Sequence, residues 1–517
     1  MDTLARLLFR SAERRAGHLA LLDERVSVTY GELAERVQAR TRRMLRLGLP
    51  SQGRVVVFMD KSVEACALLL GAMQAGGIAV PLNPKLKPQQ VRYILSDCDA
   101  ELLFTTTQRQ RELAGELAGL RVRVLCTDTP DDEVESDAVR ASDAPHRRID
   151  TDPAALLYTS GSTGQPKGVI ASHRNLVAGC ESVNEYLGTT QDDTILALLP
   201  ISFDAGLSQL STGLAAGARV LLHTPMFAQG TARLVADHQV TSITAVPPMW
   251  SLLTQAQWEA VDTRSVRLFA NTGGHMSETL LARLRGMFPQ ARPFLMYGLT
   301  EAFRSTYLDP AEVERRPDSI GKAIPNVEVL VLREDGQPCA PHEPGELVHR
   351  GPLVTLGYWN APQLTSERFR PLPESLCSGR TPEFAVWSGD VVRRDEDGFL
   401  YFVGRRDELI KTSGYRLSPN ELESQIAAMD GVQDVAAFGV PAGDIGHAVY
   451  AVLSPRGVQD DMLAFRARIE QHCKHTLPAY MVPRVIVLDE LPRSPNGKID
   501  RPALKQLCVQ THQESPA

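Results

Sequence analysis

The stretch "LLYTSGSTGQPKGV", at residues 156–169, combines residue types that could bind phosphate. Its glycines let the backbone turn tightly and bring N–H groups to an anion, and Lys167 supplies a positive charge. Gly168 follows this lysine, at the place where a Walker A loop has Ser or Thr. Taken alone, the stretch predicts either an anion-binding loop or a polar turn after a buried strand. The other candidate phosphate-binding residues are Thr159, Ser160, Gly161, Ser162, Thr163 and Gly164.

Five further segments could carry chemistry, and they follow one another in a set order along the chain. They are "MYGLTEA" at 296–302, "WSGD" at 387–390, "GRRDELIKTSGYRLSPNELE" at 404–423, "LPAYMVP" at 477–483 and "PNGKIDR" at 495–501. Together with the first stretch, they resemble the signatures of the adenylate-forming superfamily, which includes acyl-CoA synthetases, adenylation domains of peptide synthetases and luciferases. The resemblance covers nearly the whole chain. Serine stands at 388 where the family more often has threonine, which keeps the hydroxyl group.

The resemblance implies a site for ATP and Mg²⁺. It implies that Tyr297 stacks on adenine, that Thr300 contacts a phosphate oxygen and that Glu301 binds Mg²⁺, a cation that prefers oxygen ligands. Asp390 is expected to accept hydrogen bonds from both ribose hydroxyls, and Arg405 is expected to complete the contact with the ribose. Each residue type also has an ordinary explanation, such as a core tyrosine, an acid in the first turn of a helix, a turn aspartate or a solvated arginine. The implied nucleotide site also includes Gly273, Gly274 and Gly298.

The reaction implied by the resemblance has two steps. A carboxylate attacks the α-phosphate of ATP and leaves an acyl-adenylate, and a thiol then attacks the acyl carbon and releases AMP. The family pattern assigns Lys498 to the first step, where a cation would stabilise the transition state. For the second step, the C-terminal domain rotates about a hinge at Asp407, Gly414 leaves a channel for a pantetheine arm, and Arg416 meets the phosphate. Alone, Lys498 would be an exposed loop residue and Gly414 an ordinary turn glycine.

The acid-binding pocket has no universal motif, but one segment is informative. "PISFDAGLSQL", at 200–210, aligns with the family segment that carries an aromatic gate, here Phe203. Amino-acid-activating members have an aspartate in the next position that pairs with the substrate ammonium group, as Asp204 would, and a buried acid without a partner is costly. Asp204 could instead cap the following helix or be partly solvated. Met249 is expected to pack in a pocket wall, and His275 to line the pocket rather than catalyse.

The leading hypothesis is an AMP-forming ligase of the acyl-CoA synthetase type that transfers the acyl group to CoA. "SGYR" followed by "SPNELE" is similar to short- and medium-chain acyl-CoA synthetases, which places CoA ahead of a carrier protein. No carrier-protein signature follows "PNGKIDRPAL", so we expect a stand-alone enzyme. Its thiol would then come from CoA or from the phosphopantetheine of a separate acyl carrier protein.

Two other functions stay open. The first is a stand-alone amino acid adenylation enzyme that loads a carrier protein, with Asp204 binding the substrate amino group. The second is a non-catalytic nucleotide-binding protein of the same fold. "YGLTEAFRSTYLDP" with "SFDAGLSQL" also resembles acyl-CoA ligases associated with exosortase gene clusters, and stand-alone aminoacyl-carrier-protein ligases.

The elements that position these residues have the pattern of an α/β fold. Apolar runs such as "RVVVFMD" at 54–60 alternate with helical stretches such as "SVEACALLLGAMQAGG" at 62–77, which predicts sheets with helices on both faces. We expect a large N-terminal domain, residues 1–406, with two α/β sheet subdomains and a small β-barrel-like part beginning near Gly336. A small mobile α+β domain, residues 407–517, is expected to act as a rotating lid.

Composition narrows the class of protein further. Apolar residues make up 43% and charged residues 23% of the 517 residues, as in soluble globular proteins. The net charge of −7 is thinly spread, without a long basic run, which argues against a nucleic acid partner. The eight cysteines form no CxxC pair, which favours a reduced, cytoplasmic protein. No stretch approaches the roughly 20 apolar residues of a membrane span. A monomer or homodimer is expected, as for many relatives.

Overall fold

The structure, a computed structural model, describes most of the chain. The described residues are 3–129, 144–160, 166–377, 379, 382–406, 408, 410–412, 415–442, 447–457, 461–477, 481–494 and 497–514. They form two compact units. The first unit comprises Met1–Leu330 and Val348–Ser388, and the second comprises Val331–Leu347 and Gly389–Ala517. Residue 407 lies outside the described residues, so the predicted domain boundary between 406 and 407 stays a prediction.

The bounds of the elements are as follows. The α-helices are α1 (Leu4–Arg15), α2 (Tyr30–Arg46), α3 (Val63–Ala75), α4 (Pro88–Asp97), α5 (Thr107–Leu113), α6 (His173–Leu187), α7 (Asp204–Ala216), α8 (Ala228–Asp237), α9 (Pro247–Leu253), α10 (Glu278–Met287), α11 (Pro362–Arg368), α12 (Pro419–Ala427), α13 (Met462–Thr476) and α14 (Arg501–Glu514). Short 3₁₀ helices are Trp258–Ala260, Thr300–Ala302, Pro310–Glu312 and Glu374–Leu376. The strands are β1 (Leu19–Leu22), β2 (Ser27–Thr29), β3 (Arg54–Val57), β4 (Ile78–Pro81), β5 (Leu102–Thr105), β6 (Arg123–Cys126), β7 (Pro153–Ser160), β8 (Pro166–Ser172), β9 (Thr194–Ala197), β10 (Arg219–Leu222), β11 (Ser242–Ala245), β12 (Leu268–Asn271), β13 (Arg292–Tyr297), β14 (Thr306–Leu308), β15 (Ser319–Ala323), β16 (Glu328–Leu332), β17 (Gly345–Arg350), β18 (Phe369–Pro371), β19 (Phe384–Arg394), β20 (Leu400–Arg405), β21 (Ile410–Thr412), β22 (Tyr415–Leu417), β23 (Val432–Pro441), β24 (His447–Pro455) and β25 (Arg484–Val487).

The first unit contains a mainly parallel sheet whose neighbouring strands follow the order β15–β14–β13–β12–β11–β9–β10–β1–β2. The pairs from β13 through to β1 are parallel, whereas β14, β15 and β2 pair antiparallel. Strands β9, β11 and β12 are buried at every position. Strands covered on both faces have continuous apolar runs rather than alternating ones, which is why the sequence pattern predicts them.

A second sheet of the first unit has the order β6–β5–β3–β4–β7–β8, and its last pair is antiparallel. One hydrophobic core joins the two sheets through residues of α1, α2, α3, α6 and α7. Helix α3 shows how the sequence sets these elements: Ser62 accepts the N–H of Ala65 at 3.2 Å at its start, and Gly76, with φ +87°, ends it. The predicted helix at 62–77 is therefore confirmed, as is the predicted α/β fold class.

The second unit contains a small three-stranded sheet, β23–β24–β25. Alternate residues of β23 and β24 face opposite sides: Ala437 and Leu453 pack with α12 and α13, while Phe438 and Val452 pack with α14. Strands β19 and β20 form one antiparallel pair, and β21 and β22 another. Across the described part of the chain, every helix is too short or too polar for a membrane span.

The first sheet brings the predicted site segments of the first unit to one edge. Strands β9, β11, β12 and β13 are parallel neighbours, so their carboxyl ends lie along the same edge of the sheet. The segments that follow these strands contain Phe203, Met249, Gly273 and Thr300, in that order. Ligands of open α/β sheets bind outside this edge, which makes it the candidate active site.

Candidate active site

The predicted phosphate stretch joins two antiparallel strands. Thr159, near the end of β7, pairs with Lys167 at the start of β8, and Ser160 pairs with Pro166. Gly161, Ser162, Thr163 and Gly164, which the motif also singles out, lie outside the described residues. Next to the pair, Tyr158 packs where a Cβ on Gly168 would lie, 3.0 Å from its ring, and its hydroxyl donates to Asp97 Oδ2 at 2.6 Å. The strand pair thus fixes the register of Thr159 and Ser160 against Pro166 and Lys167.

The "YGLTE" motif forms a tight turn at the end of β13. A Cβ on Gly298 would lie 2.5 Å from the carbonyl oxygen of Phe303, so the turn requires glycine here for its own backbone. Phe303 has φ +55°, and Ser305 N then donates to Tyr297 O at 3.0 Å, which starts β14 antiparallel to β13. Thr300 and Glu301 lie in the 3₁₀ helix inside this turn. Both are half-buried, and their assigned contacts with nucleotide stay predictions.

A hydrogen bond links the Glu301 carboxylate to the strand that leaves the phosphate stretch. The Tyr358 hydroxyl donates to Glu301 Oε1 at 2.5 Å, and Thr355 N donates to the Glu301 carbonyl at 3.0 Å. Tyr358 itself is bridged antiparallel to Val169 of β8, two residues after Lys167. The structure therefore brings the predicted Mg²⁺ ligand close to strand β8, the strand that contains Lys167.

Tyr358 is a site residue that the sequence analysis missed. It lies in the segment "LGYWN", whose Gly357 has φ +111° and whose Trp359 N donates to Gly168 O at 2.7 Å. The Tyr358 ring also packs edge-on against Phe369, with centroids 5.7 Å apart. A glycine–aromatic pair was the one signal available in the sequence, and it is common in ordinary turns.

Asp204, which is predicted to line the acid-binding pocket, forms an ion pair. Arg304 Nη1 donates to Asp204 Oδ2 at 3.2 Å. Asp204 is the first residue of α7, and Phe203 is the N-cap, so the idea that Asp204 caps this helix is wrong. Helix α7 starts so close to β9 that a Cβ on Gly206 would lie 1.9 Å from Pro200 O. The ion pair joins the "FD" segment to the turn after β13.

Lys61 is a second residue that the sequence analysis missed. Its Nζ donates to Ala197 O at 2.5 Å and to Leu199 O at 3.2 Å, at the end of β9 just before the "FD" segment. Burial lowers the pKa of Lys61 to about 7. Lys61 therefore holds the strand end that positions Phe203 and Asp204.

The turns after β11 and β12 complete this edge. Gly273 has φ +72°, and Asn271 Nδ2 donates to Gly274 O at 2.8 Å, which fixes the glycine turn. Met249 is half-buried in the short helix α9, and His275 lies exposed after the glycines. Desolvation by neighbouring groups lowers the pKa of His275. Their contacts with substrate stay predictions.

The second unit contains the predicted ribose-binding pair. Asp390 and Arg405 face each other across β19 and β20, and Arg405 Nε lies 3.2 Å from Asp390 Oδ1. The Asp390 side chain is mostly buried, while that of Arg405 is 44% exposed. Glu346 Oε1 accepts the N–H of Gly389 at 3.0 Å and so holds the turn before Asp390. The strand pairing itself thus orients the carboxylate.

Lys498 lies on a tight turn of the second unit. Ser494 N donates to Lys498 O at 2.7 Å, Gly497 has φ +77°, and the Lys498 side chain is exposed. Asp407 and Gly414 lie outside the described residues. Arg416 belongs to β22 by its backbone, which pairs with Lys411. The predicted roles of these residues stay predictions.

The donor groups near Glu301 suit Mg²⁺. A carboxylate and a threonine hydroxyl are oxygen donors, and Mg²⁺ is usually bound through one or two carboxylates together with phosphate oxygens. Tyr358 orients the carboxylate through one oxygen, as outer partners of metal ligands commonly do. Glu301 is thus a fitting ligand for a Mg²⁺ ion that also contacts phosphate.

Comparison with known proteins agrees with this geometry. The chain is 32% identical over 502 residues to a linear gramicidin synthase of Brevibacillus parabrevis, covering 96% of this chain and 6% of that protein. It is 28% identical to a long-chain-fatty-acid–CoA ligase of Escherichia coli O157:H7, covering 98% and 94% of the two chains. The chain spans a small part of the synthase and nearly all of the ligase.

Similarity to solved structures extends over the same length. The structure of O-succinylbenzoate coenzyme A synthetase from Bacillus subtilis, in complex with ATP and magnesium ion, has a TM-score of 0.82 and 27% identity. It covers 96% of this chain and 99% of that chain. The family model for AMP-binding enzymes matches residues 8–359, and the model for the C-terminal domain of AMP-binding enzymes matches 421–498. The chain therefore belongs to the AMP-binding enzymes, within the adenylate-forming superfamily.

Proposed function

We propose that the chain is an AMP-forming acid–thiol ligase. In the first step, a carboxylate oxygen of the substrate bonds to the α-phosphorus of ATP while the bond to pyrophosphate breaks. In the second step, a thiol sulfur bonds to the acyl carbon, the thiol loses its proton, and AMP leaves with the carboxylate oxygen. CoA is the acceptor that we place first, since a CoA ligase shares nearly the full length of this chain.

One observation carries the proposal: Glu301 is held by Tyr358 beside the strand that begins with the phosphate stretch. This supports a site in which the Glu301 carboxylate acts together with Lys167 and the hydroxyl-bearing residues of the phosphate stretch. Mg²⁺, when bound there, would supply positive charge to the phosphates. Lys167 and the loop would hold the phosphates that leave as pyrophosphate. The remaining roles are positioning and electrostatic stabilisation, because the substrate carboxylate itself is the nucleophile.

The second unit would supply residues to both steps in turn. Lys498, whose side chain is exposed on a tight turn, would meet the carboxylate and the α-phosphate during adenylation. Rotation about Asp407 would then exchange Lys498 for the loop with Gly414 and Arg416. Asp390 and Arg405 would hold the ribose, since their pairing already fixes the carboxylate.

A second candidate is an amino acid adenylation enzyme that loads a carrier protein. Its support is the 32% identity to a gramicidin synthase. The Asp204–Arg304 pair weighs against it, because the aspartate that would bind an ammonium group already has a cation as partner. The two candidates differ in the acceptor that releases AMP, namely CoA or a carrier protein with phosphopantetheine.

The test is ATP–pyrophosphate exchange over a panel of fatty, aromatic, short-chain and amino acids, followed by AMP release with CoA or with a carrier protein that bears free phosphopantetheine. We expect exchange with at least one acid and AMP release that depends on a thiol. Lys498→Ala should suppress exchange by about 100-fold or more while affecting thioester formation from a supplied acyl-adenylate much less. Nucleotide binding without exchange for any acid would instead favour the non-catalytic alternative.

A further inference from the structure

Arg304 is a buried cation in the acid-binding part of the candidate site. Its side chain is 5% exposed, against 17% for that of Asp204. One guanidinium nitrogen, Nη1, donates to Asp204 Oδ2 and to the carbonyl oxygen of Phe303, each at 3.2 Å. Arg304 follows the "YGLTE" turn directly, and Asp204 begins α7, so the pair spans the carboxyl edge from β13 to β9.

The Nε–H of Arg304 is fully buried and has no acceptor in hydrogen-bonding geometry among the described residues, although the Tyr186 hydroxyl lies near the guanidinium. Buried polar groups are nearly always hydrogen-bonded, so an orphaned donor on a charged group needs an explanation. Arg304 also lines a cavity of about 20 Å³, together with Ser208, Thr244 and Met296. Met296 immediately precedes Tyr297 of the nucleotide motif, and Ser208 lies one turn after Asp204. Arg304, which carries the orphaned donor, therefore lines a cavity beside the predicted acid-binding segment.

Of the other polar side chains that line this cavity, Gln209 and Thr212 already have partners, while Thr189, Ser208, Ser242 and Thr244 contribute neutral hydroxyls. Gln209 is fully engaged: its Nε2 donates to Leu196 O at 3.2 Å and Thr244 O at 3.1 Å, and its Oε1 accepts from Leu199 N at 3.1 Å. Thr212 donates to Ser208 O at 2.7 Å. A group that enters the cavity thus finds the Arg304 N–H as its strongest donor. The volume suits roughly one small polar group of the size of a water molecule.

The charges of the pair restrict what that group can be. Asp204 and Arg304 compensate each other, so a substrate ammonium or a second carboxylate would add an uncompensated charge to a largely buried pair. An uncharged oxygen can accept the Arg304 N–H without changing the charge of the site. Hydrogen bonds to a charged donor are stronger than neutral ones, so such an oxygen would be selected over a methylene.

We propose that Arg304 determines specificity for a short carboxylic acid that carries an uncharged oxygen acceptor, a keto or hydroxyl oxygen, away from the carboxylate that is activated. The inference rests on the proposed ligase function and identifies the class of acid. The substrate oxygen accepts a hydrogen bond from Arg304 Nε. The Asp204–Arg304 pair disfavours a charged substrate group in the same cavity.

A set of five-carbon acids tests this without changing chain length. Pyrophosphate exchange is measured with pentanoate, 2-oxopentanoate, 4-oxopentanoate, 5-hydroxypentanoate, glutarate and 2-aminopentanoate. We expect at least one oxo or hydroxy acid to exceed pentanoate about 10- to 100-fold in kcat/KM, the size expected for a hydrogen bond to a charged group. Glutarate and 2-aminopentanoate should lie below the best neutral acid.

Two single substitutions separate this role from a merely structural one. Asp204→Asn leaves the Arg304 charge uncompensated and should raise kcat/KM for glutarate relative to pentanoate. Arg304→Met leaves the Asp204 charge uncompensated and should raise the relative kcat/KM for 2-aminopentanoate while removing the preference for the oxo or hydroxy acid. The double variant Asp204→Asn with Arg304→Met has no net charge here and should show neither gain. Melting temperatures identify any variant that fails to fold. If one single variant fails to fold, the double variant, in which both charges are removed, is used in its place.

The outcomes distinguish this inference from the function on which it rests. If pentanoate or a longer acid supports exchange but no oxo or hydroxy acid exceeds its matched acid, the inference is overturned and the ligase function stands. Equal loss with every acid in the variants would also overturn it, since that is the behaviour of a structural residue. Absence of exchange with any acid would refute the proposed function itself.

Discussion

Glu301 and Asp204 are both acids whose partners determine what they can do. Glu301 accepts from Tyr358, a neutral donor, and so keeps its negative charge available for a cation. Asp204 pairs with Arg304, and its charge is already compensated. Two carboxylates at one sheet edge thus have different chemistry because one has a neutral partner and the other a cationic one.

Glu301→Gln should lower the exchange rate by about 100-fold and shift the Mg²⁺ dependence to higher concentrations, because the amide cannot supply the carboxylate charge to a hard cation. The measurement is pyrophosphate exchange as a function of Mg²⁺ concentration. Tyr358→Phe is the matched variant, since it keeps the charge and removes only the hydroxyl; its loss should be smaller. Unchanged Mg²⁺ dependence in Glu301→Gln would show that Glu301 is not a ligand.

The sequence identified the acids but not their partners. Glu301 and Asp204 could be named from local motifs, because each lies in a short recognisable segment. Tyr358 lies 57 positions from Glu301, and Arg304 lies 100 positions from Asp204. Such contacts depend on which strands are neighbours in the sheet, and no local pattern records that order.

Helices and strands could be predicted from the sequence where an apolar run is buried or where a capping residue marks the end of a helix. The apolar run at 54–60 predicted β3, and the stretch at 62–77 predicted α3, which Ser62 caps and Gly76 ends. The sequence did not predict the close approach of elements that two glycines permit. Gly206 allows α7 to start against Pro200 O, and Gly298, which the resemblance assigns to the nucleotide site, allows the turn after β13.

A buried ion pair holds the amino ends of the parallel strands. Asp193 directly precedes β9, and Arg267 directly precedes β12. Arg267 Nε and Nη2 lie 2.6 and 2.7 Å from the two Asp193 oxygens, and Thr241 Oγ1 donates to Oδ1 at 2.6 Å. Burial alone would raise the pKa of Asp193, but the hydrogen bonds from Arg267 and Thr241 lower it overall.

Asp193→Ala should destabilise the first unit by about 3–5 kcal/mol, because it leaves Arg267 without its partner in a largely buried place. The free energy of unfolding in urea at neutral pH measures this. Since the folded pKa lies below the unfolded value near 3.8, the Asp193 contribution is complete above that pH and is lost as pH falls through the folded pKa. The difference between wild type and variant should shrink accordingly in acid.

Asp192→Ala is the control, because Asp192 is exposed beside the buried Asp193. Its substitution should change the free energy of unfolding by less than about 0.5 kcal/mol. Similar losses for both variants would show that the ion pair does not stabilise the strands.

For the whole molecule, the resemblance to adenylate-forming enzymes predicted what local patterns could not. Family models match both the larger and the smaller part of the chain, and the fold class agrees. In the proposed mechanism, the change from the first step to the second depends on Asp407, Gly414 and Arg416, and the resemblance alone assigns these roles. The identity of the acid could not be read from motifs, because pocket chemistry arises from long-range pairs such as Asp204 with Arg304.

The central claim is that a substrate carboxylate oxygen bonds to the α-phosphorus of ATP. The most direct test supplies an acid that supports exchange with both carboxylate oxygens labelled as ¹⁸O, completes the reaction with CoA, and analyses the products by mass spectrometry. We predict one ¹⁸O in each AMP and one in each thioester, with none in pyrophosphate. Label in inorganic phosphate, or AMP without label, would contradict the formation of an acyl-adenylate.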